Sequence, residues 1–77
     1  MDVRIGVTYS PKELVVEMAD NADRGEIKAL VDKALADDDG VLWLTDRRGR
    51  EVAVPTSKIA YVEIGAPGAK TIGFGGV

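Results

Sequence analysis

The longest acidic run in the chain is formed by three consecutive carboxylates, Asp37, Asp38 and Asp39. Carboxylate oxygens are the ligands that hard cations such as magnesium and calcium prefer. The run lacks the alternating spacing of a calcium-binding loop, and it follows a predicted helix, whose C-terminal end disfavours anions. The chain also has no cysteine and no histidine, which excludes zinc sites built from nitrogen and sulfur ligands. We therefore predict a solvated acidic turn and no metal site.

A lysine and a threonine stand side by side at Lys70 and Thr71, as they do in loops that bind nucleotide phosphates. Such a loop has glycines at fixed positions before the lysine and leads into a helix. The segment from residue 65 reads GAPGAKT, so the glycine spacing is wrong, and Ala69 stands where a glycine is needed. No helical pattern follows. The sequence argues against ATP binding, and we expect no cofactor.

The chain lacks histidine and cysteine, two of the residue types that enzymes often use for acid–base or nucleophilic catalysis. Without histidine, the usual general base near neutral pH is missing, and no nucleophile–base pair can be assembled. A chain of 77 residues also has little room for a deep pocket beside its core. We therefore predict that the protein is not an enzyme.

Trp43 is the residue best suited to binding. It stands between Leu42 and Leu44 in a run typical of a β-strand, and side chains two apart share a face. Two leucines turned towards a core bury more apolar area than one tryptophan, so we expect Trp43 to point outwards. The alternative is the reversed strand phase, in which Trp43 is a core residue.

The same alternation turns Val15, Ile59 and Tyr61 away from the helix. Exposed apolar patches often mark interaction sites, and Trp, Tyr and Arg dominate binding hot spots. Gly6, between Val15 and Tyr61, leaves space for an aromatic ring to lie over it. We predict a partner-binding surface made of Val15, Trp43 and Tyr61, rimmed by Arg47 and Arg50.

Nucleic-acid binding is the alternative use of these residues. Trp43 and Tyr61 would stack on bases, while a basic group would follow the phosphates. That group comprises Arg47, Arg48, Arg50 and Lys58. The net charge of −3 counts against this alternative, because such binding depends on neutralising phosphates. Alternatively, these basic side chains bind nothing and only keep the hairpin soluble and its edges from pairing with other strands.

Apolar alternation and turn residues divide the chain into six elements. Two strands, at residues 2–8 and 13–18, form a hairpin around Pro11. A helix opens at Asp23, with Glu26 at the spacing of a capping box, and Gly40 marks its end. Three more strands follow, at residues 41–45, 50–54 and 59–64, the last with Ala60, Val62 and Ile64 on one face. The helix has one apolar stripe, formed by Ile27, Leu30, Val31, Ala34 and Leu35.

The element order is therefore ββαβββ, an α+β class. We predict a five-stranded, mostly antiparallel sheet with one helix on one face, similar to the ubiquitin-like β-grasp plan, in which the last strand lies parallel to the first. Another strand order of the same elements is the alternative. Residues 1–65 form a single domain, and residues 66–77, which hold many of the glycines, form a flexible tail.

Five blocks of sequence carry a family resemblance. They read MDVRIGV at residues 1–7, SPKEL at 10–14, LTDRRGR at 44–50, IAYVEIG at 59–65 and GFG at 73–75. In this order and spacing they resemble a family of small actinobacterial proteins of unknown function. Members are sometimes labelled ATP-binding, although no motif supports that label. The resemblance implies no functional residues.

These observations favour a non-enzymatic protein-interaction or regulatory module that acts through an exposed sheet face. The partner is another protein or a second copy of the chain. The first residues lack the basic and apolar regions of a signal peptide, and no apolar stretch is long enough to span a membrane. We therefore expect a cytoplasmic protein that does not contact membranes.

Overall fold

The computed structural model describes residues 1–65, which contain one helix and five strands. In chain order these are β1 (Asp2–Val7), β2 (Glu13–Glu17), α1 (Arg24–Leu35), β3 (Val41–Thr45), β4 (Glu51–Pro55) and β5 (Ile59–Ile64), with a 3-10 turn (Thr56–Lys58) between the last two strands. The α+β class and the element order are confirmed. The predicted tail at residues 66–77 lies outside the described residues. No helix within residues 1–65 has the length and apolar character needed to cross a membrane.

The five strands form two antiparallel sheets, so the prediction of one continuous sheet was wrong. The larger sheet has the order β2-β1-β5, and β3 and β4 form a separate hairpin. The backbone hydrogen bond from Arg47 N to Glu17 O, at 2.8 Å, joins the hairpin to the three-stranded sheet. At the open end of the hairpin, Thr56 N donates to Gly40 O at 2.9 Å and extends the pairing of the two strands. Pro55 ends β4, and Thr56 begins the turn that carries the chain from one sheet to the other.

The last strand lies beside the first, as predicted, but it runs antiparallel to it. The reason is the short turn before β5, which delivers the chain to the end of β1, where Thr8 N donates to Lys58 O at 2.9 Å. A strand that starts beside the end of β1 must run back along it. At the other end Gly65 N donates to Asp2 O at 2.9 Å. This pairing differs from the parallel pairing of the β-grasp plan.

One core lies between the two sheets and the helix. Its buried apolar side chains are Val3, Ile5, Val16, Met18, Ile27, Val31, Ala34, Leu42, Leu44 and Val54. The helix begins where the Asp23 carboxylate accepts hydrogen bonds from Gly25 N and Glu26 N, which confirms the predicted cap. It packs against β3 on one side and β5 on the other. Its buried stripe is narrower than predicted, because Leu30 and Leu35 remain about half exposed.

A register shift changes the facing of β5. Gly6 pairs with Tyr61 and Val7 pairs with Ile59, so Ala60 has no partner of its own. Ile59 consequently packs against the core, whereas Ala60 is exposed. The prediction had these two residues the other way round, because strict alternation cannot anticipate a bulge. Val62, Ile64 and Tyr61 lie on the predicted sides.

Candidate functional site

The outer side of the β3–β4 hairpin is an exposed and largely apolar surface. Trp43 is 58% exposed, whereas Leu42 and Leu44 on the inner side are 2% and 3% exposed. The predicted strand phase is thus confirmed, and Trp43 is not a core residue. The register places Trp43 beside Ala53 in the central row of the hairpin. We call this surface the hairpin face; its members are Val41, Trp43, Thr45, Glu51, Ala53 and Pro55.

The apolar surface continues from the hairpin face onto the helix. A groove of about 260 Å³ separates α1 from β3, and Leu30, Val41 and Trp43 line it together with Lys33 and Asp37. Leu30 is 51% exposed there. The helical stripe placed Leu30 in the core, so the sequence missed this contribution to the surface. No signal in the helical stripe could have found it, because the exposure of Leu30 follows from the position of the helix between β3 and β5.

The tip of the hairpin is a tight turn organised by one buried carboxylate. Asp46 is only 7% exposed, and its Oδ1 accepts hydrogen bonds from the backbone N–H groups of Arg48 and Arg50. Gly49 N donates to Asp46 O at 3.0 Å, and Gly49 has a φ of 84°, which favours glycine. The sequence DRRG therefore specifies a hairpin turn with a glycine in the left-handed region.

Arg50 completes this turn through its side chain. Its Nε lies 2.7 Å from Asp46 Oδ2, and three quarters of the Arg50 side chain remains exposed. Burial on its own would raise the pKa of Asp46. The side-chain hydrogen bond from Arg50 and the backbone hydrogen bonds from Arg50 and Arg48 outweigh burial and hold that pKa below its usual value. Arg50 thus stabilises the hairpin as well as standing at the edge of the hairpin face.

Arg47 connects the hairpin to the three-stranded sheet. Its side chain donates to Glu17 Oε1 at 2.8 Å, next to the backbone bond from Arg47 N to Glu17 O. The hydrogen bond from Arg47, followed by its positive charge, lowers the pKa of Glu17. Both side chains are about half exposed. Arg47 is therefore held in place at the seam between the two sheets.

Tyr61 lies on the outer side of the three-stranded sheet. Its ring covers Gly6, as predicted, and its hydroxyl donates a hydrogen bond to Glu13 on β2. This bond, together with partial desolvation and the negative charge of Glu13, raises the pKa of Tyr61. Val15 is exposed on the same side, where it pairs with Arg4. This outer side is mainly charged.

The five predicted contact residues therefore fall into two groups. Trp43, Arg47 and Arg50 belong to the hairpin, whereas Val15 and Tyr61 belong to the three-stranded sheet. Since β3 pairs with β4 and with no other strand among residues 1–65, strand pairing does not place the two aromatic rings side by side.

The acidic side chains of residues 1–65 are dispersed or engaged with the backbone. Within that range, no three acidic side chains are grouped so that they could hold a metal ion. In the acidic run, Asp37 uses its Oδ1 to accept a hydrogen bond from Asp39 N at 3.0 Å. What the hairpin face can do is bury apolar area against a partner, with arginine side chains at one end.

Comparison with known proteins supports the predicted resemblance to a family of proteins of unknown function. No curated protein matches the chain. A family model described as "Protein of unknown function (DUF3107)" matches residues 1–75, which is nearly the whole sequence. The chain therefore belongs to the DUF3107 family of proteins of unknown function.

Proposed function

We propose that this chain is a non-enzymatic protein-interaction or regulatory module that binds its partner through the hairpin face, with Trp43 at the centre of the contact. The observation that carries the proposal is the 58% exposure of Trp43 on a strand whose inner side chains, Leu42 and Leu44, are buried in the core. Soluble proteins rarely expose a tryptophan among other apolar side chains without using it for binding.

The energy available from this surface is sufficient for recognition. An aromatic side chain buries about 150–250 Å² when it is enclosed, so the exposed part of Trp43 corresponds to roughly 100–150 Å². Burial of that area would contribute about 3 kcal/mol. Val41 and Leu30, which are 44% and 51% exposed, extend the apolar area around the ring.

Arg47 and Arg50 act as a polar edge in this proposal. Each is already paired with a carboxylate of its own chain, and each keeps at least half of its side chain exposed. Arginines fixed in this way lose little conformational freedom when a partner arrives, and they hold donors ready for its carboxylates or carbonyl groups. Val15 and Tyr61 lie on the other sheet and are not part of the proposed contact.

The nucleic-acid alternative has less support. Two of the arginines that would follow the phosphates are engaged with Glu17 and Asp46. The two aromatic residues that would stack on bases belong to different sheets. Binding of this type should weaken steeply as salt is raised. Apolar contact through Trp43 should persist.

The proposal is tested by photo-crosslinking in cells. A photoreactive phenylalanine analogue replaces Trp43 in one variant and Tyr9 in a matched control, because Tyr9 is a fully exposed aromatic on the β1–β2 turn, which belongs to the other sheet. We expect discrete protein adducts from position 43, lost when Ala53 is changed to Arg, and only diffuse labelling from position 9. Equal labelling from both positions would refute the proposal. Cell fractionation of the same samples tests the predicted cytoplasmic location.

A further inference from the structure

The two ends of the hairpin differ in charge. At the end where β3 begins lie Asp37, Asp38 and Asp39, all exposed, and at the opposite end the turn carries Arg47, Arg48 and Arg50. Among residues 1–65, Arg48 makes no ion pair through its side chain, whereas the other two arginines do. The hairpin face thus lies between a run of carboxylates and a turn whose Arg48 guanidinium is available to a partner.

Two further charges follow the opposite pattern along β4. Glu51 begins the strand beside the arginine turn, and Lys58 follows its far end. A strand of five residues is about 17 Å long, which exceeds the screening length of about 8 Å at physiological salt. The charges at one end of the hairpin are therefore screened from those at the other end. Each end interacts only with partner charges that lie directly against it.

We infer that the occupant of the hairpin face is a second copy of this chain, related by a two-fold axis that crosses both strands at the row of Trp43 and Ala53; the inference rests on the proposed function. In this arrangement the hairpins pack face to face with their strands antiparallel. Trp43 meets the Trp43 of the other copy. A two-fold contact uses the same patch twice, so the patch must be complementary to itself.

The charges satisfy that condition in the antiparallel arrangement. Each carboxylate run, at Asp38 and Asp39, comes against Arg48 of the other copy. Glu51 likewise comes against Lys58 of the other copy. With the strands parallel, a two-fold axis would run along the hairpin and place β3 over β4 of the other copy. The two arginine turns would then meet and repel each other, and the three carboxylates would face only Lys58. The same charges thus select one orientation out of two.

The available area sets the strength of the dimer. The hairpin face, Leu30 and the charged ends amount to about a dozen residues per copy, about half of what a standard interface uses on each side. We therefore expect a dimer that forms and dissociates in the micromolar range. At high local concentration the chain is then mostly dimeric, and in dilute solution it is mostly monomeric.

The test uses two charge-reversal variants, Arg48→Glu and Asp38→Lys, in the full chain. Both residues are exposed, and circular dichroism and thermal melting verify that each variant folds as the parent does. Sedimentation equilibrium at low and physiological salt should show that the parent dimerises and that each variant alone associates at least tenfold more weakly. In a two-fold dimer, mixing the variants restores opposite charges at both ends. Native mass spectrometry of the mixture should then show the heterodimer, at a level near that of the parent dimer.

Several results would overturn the inference: a parent chain that stays monomeric at hundreds of micromolar, variants that dimerise as well as the parent, or a mixture that forms no heterodimer. Trp43→Ala provides a second measurement, because it should abolish dimerisation without altering the charges. The two proposals fail separately. A monomeric parent that still gives discrete adducts from position 43 with another protein overturns the dimer and leaves the interaction module in place. A chain with neither property overturns both.

Discussion

The Tyr61 ring lies so close over Gly6 that one added methyl group should displace it. A Cβ atom built on Gly6 would stand 2.5 Å from Cδ2 and Cζ of Tyr61 and closer still to Cε2. Carbon atoms at rest are about 3.5–4.0 Å apart, so either the ring or β1 must move. We expect Gly6→Ala to lower the free energy of unfolding by about 1–3 kcal/mol, the usual cost of overpacking.

In a chain that lacks the Tyr61 ring, Gly6→Ala should stabilise the domain and not destabilise it. In a Tyr61→Ala chain no ring covers Gly6, and Gly6 does not have a positive φ that alanine would resist. Alanine would then restrict the unfolded chain and stabilise the domain by about 0.4–1 kcal/mol. The loss in the parent and the gain in the Tyr61→Ala chain add, so the double-mutant cycle predicts a coupling of about 1.5–4 kcal/mol between the two positions.

Urea unfolding followed by circular dichroism measures all four chains of the cycle. Tyr61→Phe is the matched control, because it keeps the ring over Gly6 and removes only the hydroxyl that donates to Glu13. Gly6→Ala should be as damaging in the Tyr61→Phe background as in the parent. Additive effects of the two alanine substitutions, within about 0.5 kcal/mol, would show that the ring does not rest on Gly6.

Three further substitutions test other parts of the structure. Thr56→Val should raise the free energy of unfolding by about 1 kcal/mol, because the buried Thr56 Oγ1 has no hydrogen-bond partner among residues 1–65; the exposed Thr45→Val should change it little in the same urea titration. Asp46 has a lowered pKa in the folded chain, so its stabilising effect is complete above the unfolded pKa of about 4 and is lost as the pH falls below it. In the Asp46→Asn variant, the free energy of unfolding should therefore fall less steeply as the pH is lowered below about 4. Some pH dependence should remain in that variant, because the pKa of Glu17 is also lowered in the folded chain. Trp43→Ala should cost about 1 kcal/mol or less, because most of the ring is exposed; a larger loss in thermal unfolding would mean that Trp43 supports the core.

The sequence predicted correctly those features of the fold that depend on interactions between residues close together in the chain. Alternation in β3 placed Leu42 and Leu44 inside and Trp43 outside, and the spacing of Asp23 and Glu26 located the start of the helix. Both features depend on residues a few positions apart.

Features that depend on distant parts of the chain could not be predicted in this way. The direction of β5 is set by the turn at Thr56–Lys58, and its facing is set by a bulge at Ala60. The exposure of Leu30 follows from the position of the helix between two sheet edges, which no helical stripe encodes. The ion pair of Arg47 joins residues thirty positions apart.

The central claim is that the hairpin face around Trp43 is a contact surface. Its most direct test is oxidative footprinting of Trp43 by hydroxyl radicals, read by mass spectrometry in intact cells and in dilute purified protein. Tyr9, which is fully exposed on the turn between β1 and β2 of the other sheet, serves as the internal reference. We predict that Trp43 is oxidised readily in the dilute protein and is protected in cells, while Tyr9 reacts equally in both. Equal oxidation of Trp43 in the two samples would contradict the claim.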